Sequence, residues 1–406
     1  MLANYFKVAF GVFLRRKFFT FVSLFGIAVT LVVLTVAVSF FDHMFGPHAP
    51  ESRADRTLSI YMVTASGPKM NGYTSAGYGF HDRYVRDLPG AERVSVHSWF
   101  VPAITYMNGT EINFYIKNVD SDFWNVFDFT FLEGGPLTQD DEDGGKLVAV
   151  INETTRGKIF GKDPAVGKMI SLDHRDFRVV GVVNDVPMLR FTTFADVWIP
   201  ITSMSSEAYK KEFHSGMFFS TILARRPEDL GLIRDEFASM LTRIDYPDSR
   251  QINKIEGEPQ TVFEALSYWV FGGYLLPTLL VLMLLFMLLP TINLVNVNVS
   301  RIRERASEIG VRKAFGATGF TLVGQFVVEN VLLTLVGGVI GFFVSFVVLR
   351  WISATGLIPY AQFEMNYRIF FLGFSIAVFF GILSGVYPAW KMSRLHPVEA
   401  ISGRAK

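Results

Sequence analysis

The chain has 406 residues, of which half are hydrophobic, 15% are aromatic and only 18% are charged, well below the quarter usual for a soluble globular protein. That composition excludes a disordered chain, and 40 Phe argue against an ordinary cytosolic enzyme. With no Cys there is no disulfide framework, thiol nucleophile or thiolate metal site, and a net charge of +1 points to no nucleic-acid partner.

The apolar residues are concentrated in four stretches, each long enough for a bilayer core that needs about 20 apolar residues in a helix. After a basic cytoplasmic segment at 1–17 containing Lys7, Arg15, Arg16 and Lys17, residues 18–41 are charge-free and are expected to be an uncleaved first span. Residues 42–267 form a large insert with soluble-like composition. Ala265 to Ser300 is again free of charge, and at 1.5 Å per residue it would reach about 54 Å, so 268–300 is assigned to a second span plus a stalk. Pro277 and Pro290 are expected to kink it. A charged loop at 301–319 leads to a third span at 320–349, an outer loop at 350–368, a fourth span at 369–390 and a tail at 391–406.

Basic residues near the spans set orientation, because cytoplasmic flanks carry excess Lys and Arg. The segments 1–17, 301–319 and 391–406 together carry a net charge of +10, whereas the insert carries 23 basic and 32 acidic residues. Both termini are therefore expected in the cytoplasm and the insert outside it. The fold class expected is an α-helical membrane protein with four transmembrane helices and a large α+β extracytoplasmic domain.

Within the insert, Thr57 to Val63 is predicted as a strand, Phe80 to Leu88 as a helix closed by Pro89-Gly90, and Val94 to Tyr106 as extended chain. Phe218 to Ala224 is predicted as a strand. Pro227 to Arg243 follows as a helix with Leu230, Ile233, Phe237 and Leu241 on one face. Between these two β-α-β units, about 108–200 reads as an inserted, mostly β subdomain. Its acidic run Asp140 to Asp143 lacks the alternating ligands of a Ca²⁺ loop and is predicted as a solvated turn.

Several ordered motifs then carry a family resemblance. The run from Val119 to Phe127, Phe131 to Gly134, Val148 to Glu153, Ile159 to Gly161, Val166 to Lys168 and Phe177 to Val183 resembles the periplasmic core domain of MacB-type ABC transporter permeases. Arg303-Glu304, Glu308 to Ala317, Glu329, Gly337-Gly338, Gly341, Tyr387 to Ala389 and His396 to Ala400 resemble the FtsX-like permease domain of the same superfamily. The resemblance implies a subunit of a type VII transporter that dimerises with a second or homologous permease. It also implies two copies of a cytoplasmic ABC ATPase and transmission of ATP-driven helix movement to the outer domain.

The cytoplasmic loop is consistent with that role. In a helix over 301–315, Ile302, Ala306 and Ile309 share one face and Arg301, Arg305, Glu308 and Arg312 a neighbouring one, with Glu308 placed favourably four residues before Arg312. Gly316 and Ala317 lie where the chain turns back. Together with the motif, the residues expected to couple to the ATPase are Arg301, Arg303, Arg305, Glu308, Ile309, Gly310, Arg312, Lys313, Gly316 and Ala317. Glu329 is the ionisable residue deep in a predicted span and is expected to hydrogen-bond to a neighbouring helix, not to serve as a proton site. Gly337, Gly338 and Gly341 offer a small-residue face for helix packing.

No catalytic site is expected on this chain. Gly161 to Met169 differs from a phosphate-binding Walker loop by one residue of spacing and by Met169 where a hydroxyl would hold Mg²⁺. The His residues form no His-Glu-x-x-His run. No metal or cofactor is expected here, ATP and Mg²⁺ being bound by the ATPase on a separate chain, as in LolC/LolE-like systems. Three outputs are compatible with the motifs: export of peptides, drugs or other amphiphiles, with or without a periplasmic adaptor and outer-membrane channel; extraction of lipoproteins or lipids; and FtsX-like regulation of cell-wall hydrolases.

Overall fold

The computed structural model describes residues 10–393 except 12, 16, 70, 108–109, 247–249, 251, 283, 286–310, 312–314 and 316–317. The chain forms two units, one of helices (within 1–42, 276–355 and 362–406) and one of mixed α and β structure (43–275 and 356–361).

In chain order, helix α1 (Lys17–Phe45) precedes strands β1 (Thr57–Ile60), β2 (Val63–Ser66) and β3 (Asn71–Thr74), a helical stretch at 78–85, then β4 (Ala91–Ser98), β5 (Val101–Met107) and β6 (Thr110–Val119). Next come α2 (Phe123–Val126), β7 (Phe131–Gly134), α3 (Gln139–Asp143), β8 (Val148–Asn152), α4 (Glu153–Phe160), β9 (Met169–Leu172), β10 (Arg175–Val183) and β11 (Val197–Pro200). The domain ends with β12 (Phe218–Ala224), α5 (Leu230–Leu241), β13 (Lys254–Glu256) and α6 (Val262–Phe271), and the membrane-type helices α7 (Gly319–Thr355) and α8 (Tyr367–Ser393) follow.

One ten-stranded mixed sheet organises the domain in the order β1-β12-β4-β6-β11-β8-β10-β7, with β5 beside β6 and β9 beside β10. Residues 108–200 thus add strands to the sheet that holds β1, β4 and β12, instead of building a sheet of their own. The joint is β4 against β6, where His97 faces Val119. Strand β8 is buried throughout because both of its faces are covered: Val148 and Val150 enter one core cluster, Ala149 and Ile151 another. A third core lies under β1 and β12, where Ile233 and Phe237 of α5 pack on Phe80, Val85 and Ile222. Burying each such side chain contributes about 1.5–3 kcal/mol.

Three local expectations change. The strand expected over Thr57 to Val63 divides at Tyr61-Met62, because β1 pairs with β12 while β2 joins β3 and β13 in a second sheet. The extended run from Val94 likewise divides at Trp99-Phe100. The acidic run Asp140 to Asp143 lies in helix α3 and not in a turn, since Thr138 accepts from Asp141 N–H and Asp141 accepts from Thr138 N–H in a capping box.

In the helical unit, α7 packs against α1 and α8 through glycines. A Cβ on Gly337 would lie 2.8 Å from Ile27, on Gly341 3.1 Å from Leu31, and on Gly338 only 2.1 Å from the Phe374 ring. A Cβ at Gly337 or Gly338 would displace its neighbour, and at Gly341 it would be tight. Among the described residues two helices, 17–45 and 323–355, are long and apolar enough to cross a membrane, or three if 262–271 and 275–282 make one broken span. The four spans expected from sequence do not all meet that test among the described residues: within α8 the stretch that qualifies as apolar helix is 367–383, and 286–300 lies outside the described residues.

Candidate functional site at the three chain passages

The chain enters or leaves the α+β domain through three passages: 43–56, 256–275 and 356–361. Each is fastened to the domain by side-chain contacts, and those of the first passage are buried.

In the first passage Glu51 is almost fully buried and meets the equally buried Arg190 at 3.1 Å. Arg190 also donates to Gly46 O at 2.8 Å, and Thr193 Oγ1 donates to the second oxygen of Glu51 at 2.8 Å. Every oxygen of the carboxylate is thereby matched, the condition under which a buried ion pair is tolerated. The second passage begins with Ser59 and Gln260 exchanging backbone hydrogen bonds. Helix α6 then starts at a capping box between Thr261 and Glu264, and Arg234 grips Glu264 through both oxygens at 2.9 and 2.6 Å. Further along α6, Trp269 lies in an aromatic cluster with Tyr61, Trp99 and Phe191, at ring distances of 5.3, 5.9 and 5.6 Å. Gly272, at φ 57°, ends the helix.

In the third passage Tyr360 holds a left-handed backbone, φ 60°, which is rare for a residue with a side chain. Its hydroxyl donates to Asp196 Oδ1 at 2.5 Å, and Met188 N–H donates to Pro359 O at 3.1 Å. Burial, with Asp196 alongside, raises the Tyr360 phenol well above its ordinary pKa, so it stays a donor. Asp196 in turn accepts from Tyr115 N–H and from the Asn152 amide.

One segment recurs in all three passages, the connection from Val186 to Asp196 between β10 and β11. Beneath it lies Lys117 of β6, fully buried, whose Nζ donates to Thr192 O at 2.7 Å and Phe191 O at 3.2 Å and sits 5.2 Å from the Phe219 ring. Burial lowers the Lys117 pKa to about 7, with Glu51 opposing the shift. Nearby His97 is held neutral by burial, its pKa well below the ordinary value. A cavity of about 350 Å³ opens between the first two passages, walled by Phe45, Val126, Phe127, Val262 and Phe263, with Glu51, Arg53 and Asp55 as its charged groups.

Comparison with known proteins assigns this architecture. The MacB-like periplasmic core domain model matches residues 20–239, more than half of the chain. The chain belongs to the MacB-like permease family. The FtsX-like permease C-terminal model matches residues 280–397. The ABC transporter permease YknZ of Bacillus subtilis (strain 168) is 21% identical over 402 residues, covering 97% of this chain and 98% of that protein. The macrolide export ATP-binding/permease protein MacB of Escherichia coli O157:H7 is 27% identical over 297 residues, covering 73% of this chain and 44% of MacB. Among solved structures, the periplasmic region of MacB from Actinobacillus actinomycetemcomitans matches with a TM-score of 0.36 at 16% identity, covering 46% of this chain and 84% of that one.

The residues singled out from sequence fall into two groups. Arg301, Arg303, Arg305, Glu308, Ile309, Gly310, Arg312, Lys313, Gly316 and Ala317 lie outside the described residues. Glu329 is buried in α7 and accepts from Gln325 of the same helix at 3.2 Å, while Gly337, Gly338 and Gly341 lie at the helix contacts given above. Glu51, Lys117, Arg190, Asp196 and Tyr360 were not singled out from sequence. Lys117 had one available signal: it stands in the alternation of β6 between Tyr115 and Val119, on a strand whose both faces are largely buried.

Proposed function

We propose that this MacB-like permease is the membrane subunit of a type VII ABC transporter that exports peptides, drugs or other amphiphiles. In this reading four spans cross a bacterial inner membrane, both termini and residues 301–319 face the cytoplasm, and the α+β domain faces the periplasm. A cytoplasmic ABC ATPase, two copies binding ATP and Mg²⁺ on their own chains, drives the helices. A second copy or a homologous permease completes the complex, and a periplasmic adaptor with an outer-membrane channel would receive the substrate. The subunit itself catalyses nothing; it passes movement on.

The observation that carries the reading is the fastening of all three passages, by a buried ion pair at the first, by a half-exposed ion pair and an aromatic cluster at the second and by a partly buried phenol at the third, since movement delivered through a polypeptide reaches a domain only where the chain is held rigidly to it. The apolar cavity between the first two passages favours a second reading, extraction of lipids or lipoproteins, in which it receives an acyl chain.

The coupling residues give the test. Arg312→Glu combined with Gly310→Pro is expected to abolish the change in ATP hydrolysis that the permease imposes on its reconstituted ATPase, with membrane insertion intact. Unchanged regulation in that variant would remove the cytoplasmic loop from the coupling route.

A further inference from the structure

We propose that the Val186–Asp196 connection is a shared clamp that makes the three passages open and close as one unit, with Lys117 as the pin that holds the clamp to the sheet. As a device for handing on movement it rests on the permease reading, but its mechanical content stands on the contacts alone.

Three independent surfaces of the connection are used. Arg190 and Thr193 hold the first passage through Glu51 and Gly46 O. Phe191 faces the second, stacked on Trp99 at 5.9 Å and beside Trp269 at 5.6 Å. Met188 holds the third through Pro359 O, Asp196 holds it through the Tyr360 hydroxyl, and the Phe194 ring lies 6.3 Å from that of Tyr360. Three passages held by three unrelated parts of the domain would be able to loosen one at a time. Passages that share one short connection each lose a contact whenever its backbone lets go, although the second keeps the Arg234–Glu264 and Ser59–Gln260 contacts.

That backbone has no strand pairing between residues 186 and 196, so its carbonyls need other donors. Lys117 Nζ supplies one to Phe191 O and Thr192 O, at the centre of the connection between the three contact points. Trp198 Nε1 adds a weaker bond to Thr193 O at 3.3 Å. A buried ammonium spent on two carbonyls instead of a carboxylate gives little net stability for its desolvation cost. It does fix the path of the loop, because charge-assisted bonds to a main chain hold position strongly. The same cation approaches the face of Phe219, whose ring packs 5.2 Å from Tyr61 in the cluster that receives Trp269. Removing the pin therefore disturbs the clamp and its aromatic seat together.

The test is hydrogen exchange by mass spectrometry on the full-length chain in lipid nanodiscs, without ATPase or nucleotide. In Lys117→Met, exchange is expected to rise about ten- to hundredfold in 188–196 and to rise together, if by less, in 46–51, 262–271 and 357–361, while β12 and α5 keep their protection. A rise confined to 188–196 would overturn the proposal. Tyr360→Phe, which cuts one contact, is expected to affect 357–361 alone. Should Lys117→Met strip protection from β12 and α5 as well, Phe191→Leu takes its place. A joint rise in all three passages then supports the clamp, and a rise in 262–271 alone contradicts it. Because no ATPase is present, a negative result leaves the transporter reading standing, whereas failure to find an ATPase partner would leave the clamp standing.

Discussion

The helical unit and the α+β domain solve the same packing problem with opposite chemistry. Helix α7 turns Val339, Phe343 and Val347, four residues apart, to its exposed side, and meets its neighbours where Gly337, Gly338 and Gly341 remove side chains. In lipid there is no hydrophobic gain from helix contact, so close fit decides association. The domain buries large aromatics and draws on the hydrophobic effect, then adds buried charges such as Glu51, Arg190 and Lys117 to fix where each chain passage lies. The first unit should therefore fail when something is added, the second when a partner is taken away.

Removing Arg190 tests the domain side most severely. Arg190→Met leaves Glu51 buried and unpaired and is expected to cost about 3–5 kcal/mol in thermal or denaturant unfolding of the purified chain. Adding Glu51→Gln should recover most of that loss. A single mutant as mild as the double would show that the pair contributes little. On the helical side, Gly338→Ala forces a Cβ against the Phe374 ring and is expected to cost about 1–3 kcal/mol. Gly231→Ala in α5, where nothing stands within 4 Å, should be neutral or stabilise by about 0.5–1 kcal/mol. Equal effects of the two alanines would erase the contrast between lipid-type and water-type packing.

The pin adds a pH signature. Lys117 has a folded pKa of about 7 against an ordinary 10.5, so between those values the unfolded chain holds the extra proton and stability rises with pH. Glu51 pulls the other way, and His97 stays neutral across this window. Wild type should gain on Lys117→Met by up to about 1.4 kcal/mol per pH unit between pH 7 and 10. A flat difference over that range would place Lys117 in solvent, and a falling one would pair its ammonium with a carboxylate. A smaller loss than that of Arg190→Met is expected of Tyr360→Phe, about 1–2 kcal/mol, seen as a lower unfolding midpoint, since it removes one hydroxyl from Asp196 while the other donors remain.

What the sequence disclosed follows the range of the interactions. Strand β12 has the bounds its apolar run suggests, α1 follows from uninterrupted hydropathy, and Ile233 and Phe237 lie on the buried face that the periodicity of α5 indicates. The helix at 139–143 was also legible, because Thr138 and Asp141 have capping-box spacing, but the acidic composition masked it. The break at Tyr61-Met62 was not, since it arises from pairing with β12 and β13, far along the chain. Nor does any local pattern mark Arg190 among 38 basic residues, and the place of Lys117 in the alternation of β6 names no partner for it. Arg190 meets Glu51 across 139 positions and Lys117 meets Thr192 across 75, so only the folded sheet brings them together.

The most direct test of the account is purification from native membranes in mild detergent through a C-terminal tag, with mass spectrometry of every stoichiometric companion. An ABC ATPase in fixed ratio to the permease is the expected result. A pure oligomer with no nucleotide-binding partner, under several mild conditions, would contradict the account by leaving the three fastened passages without a motor.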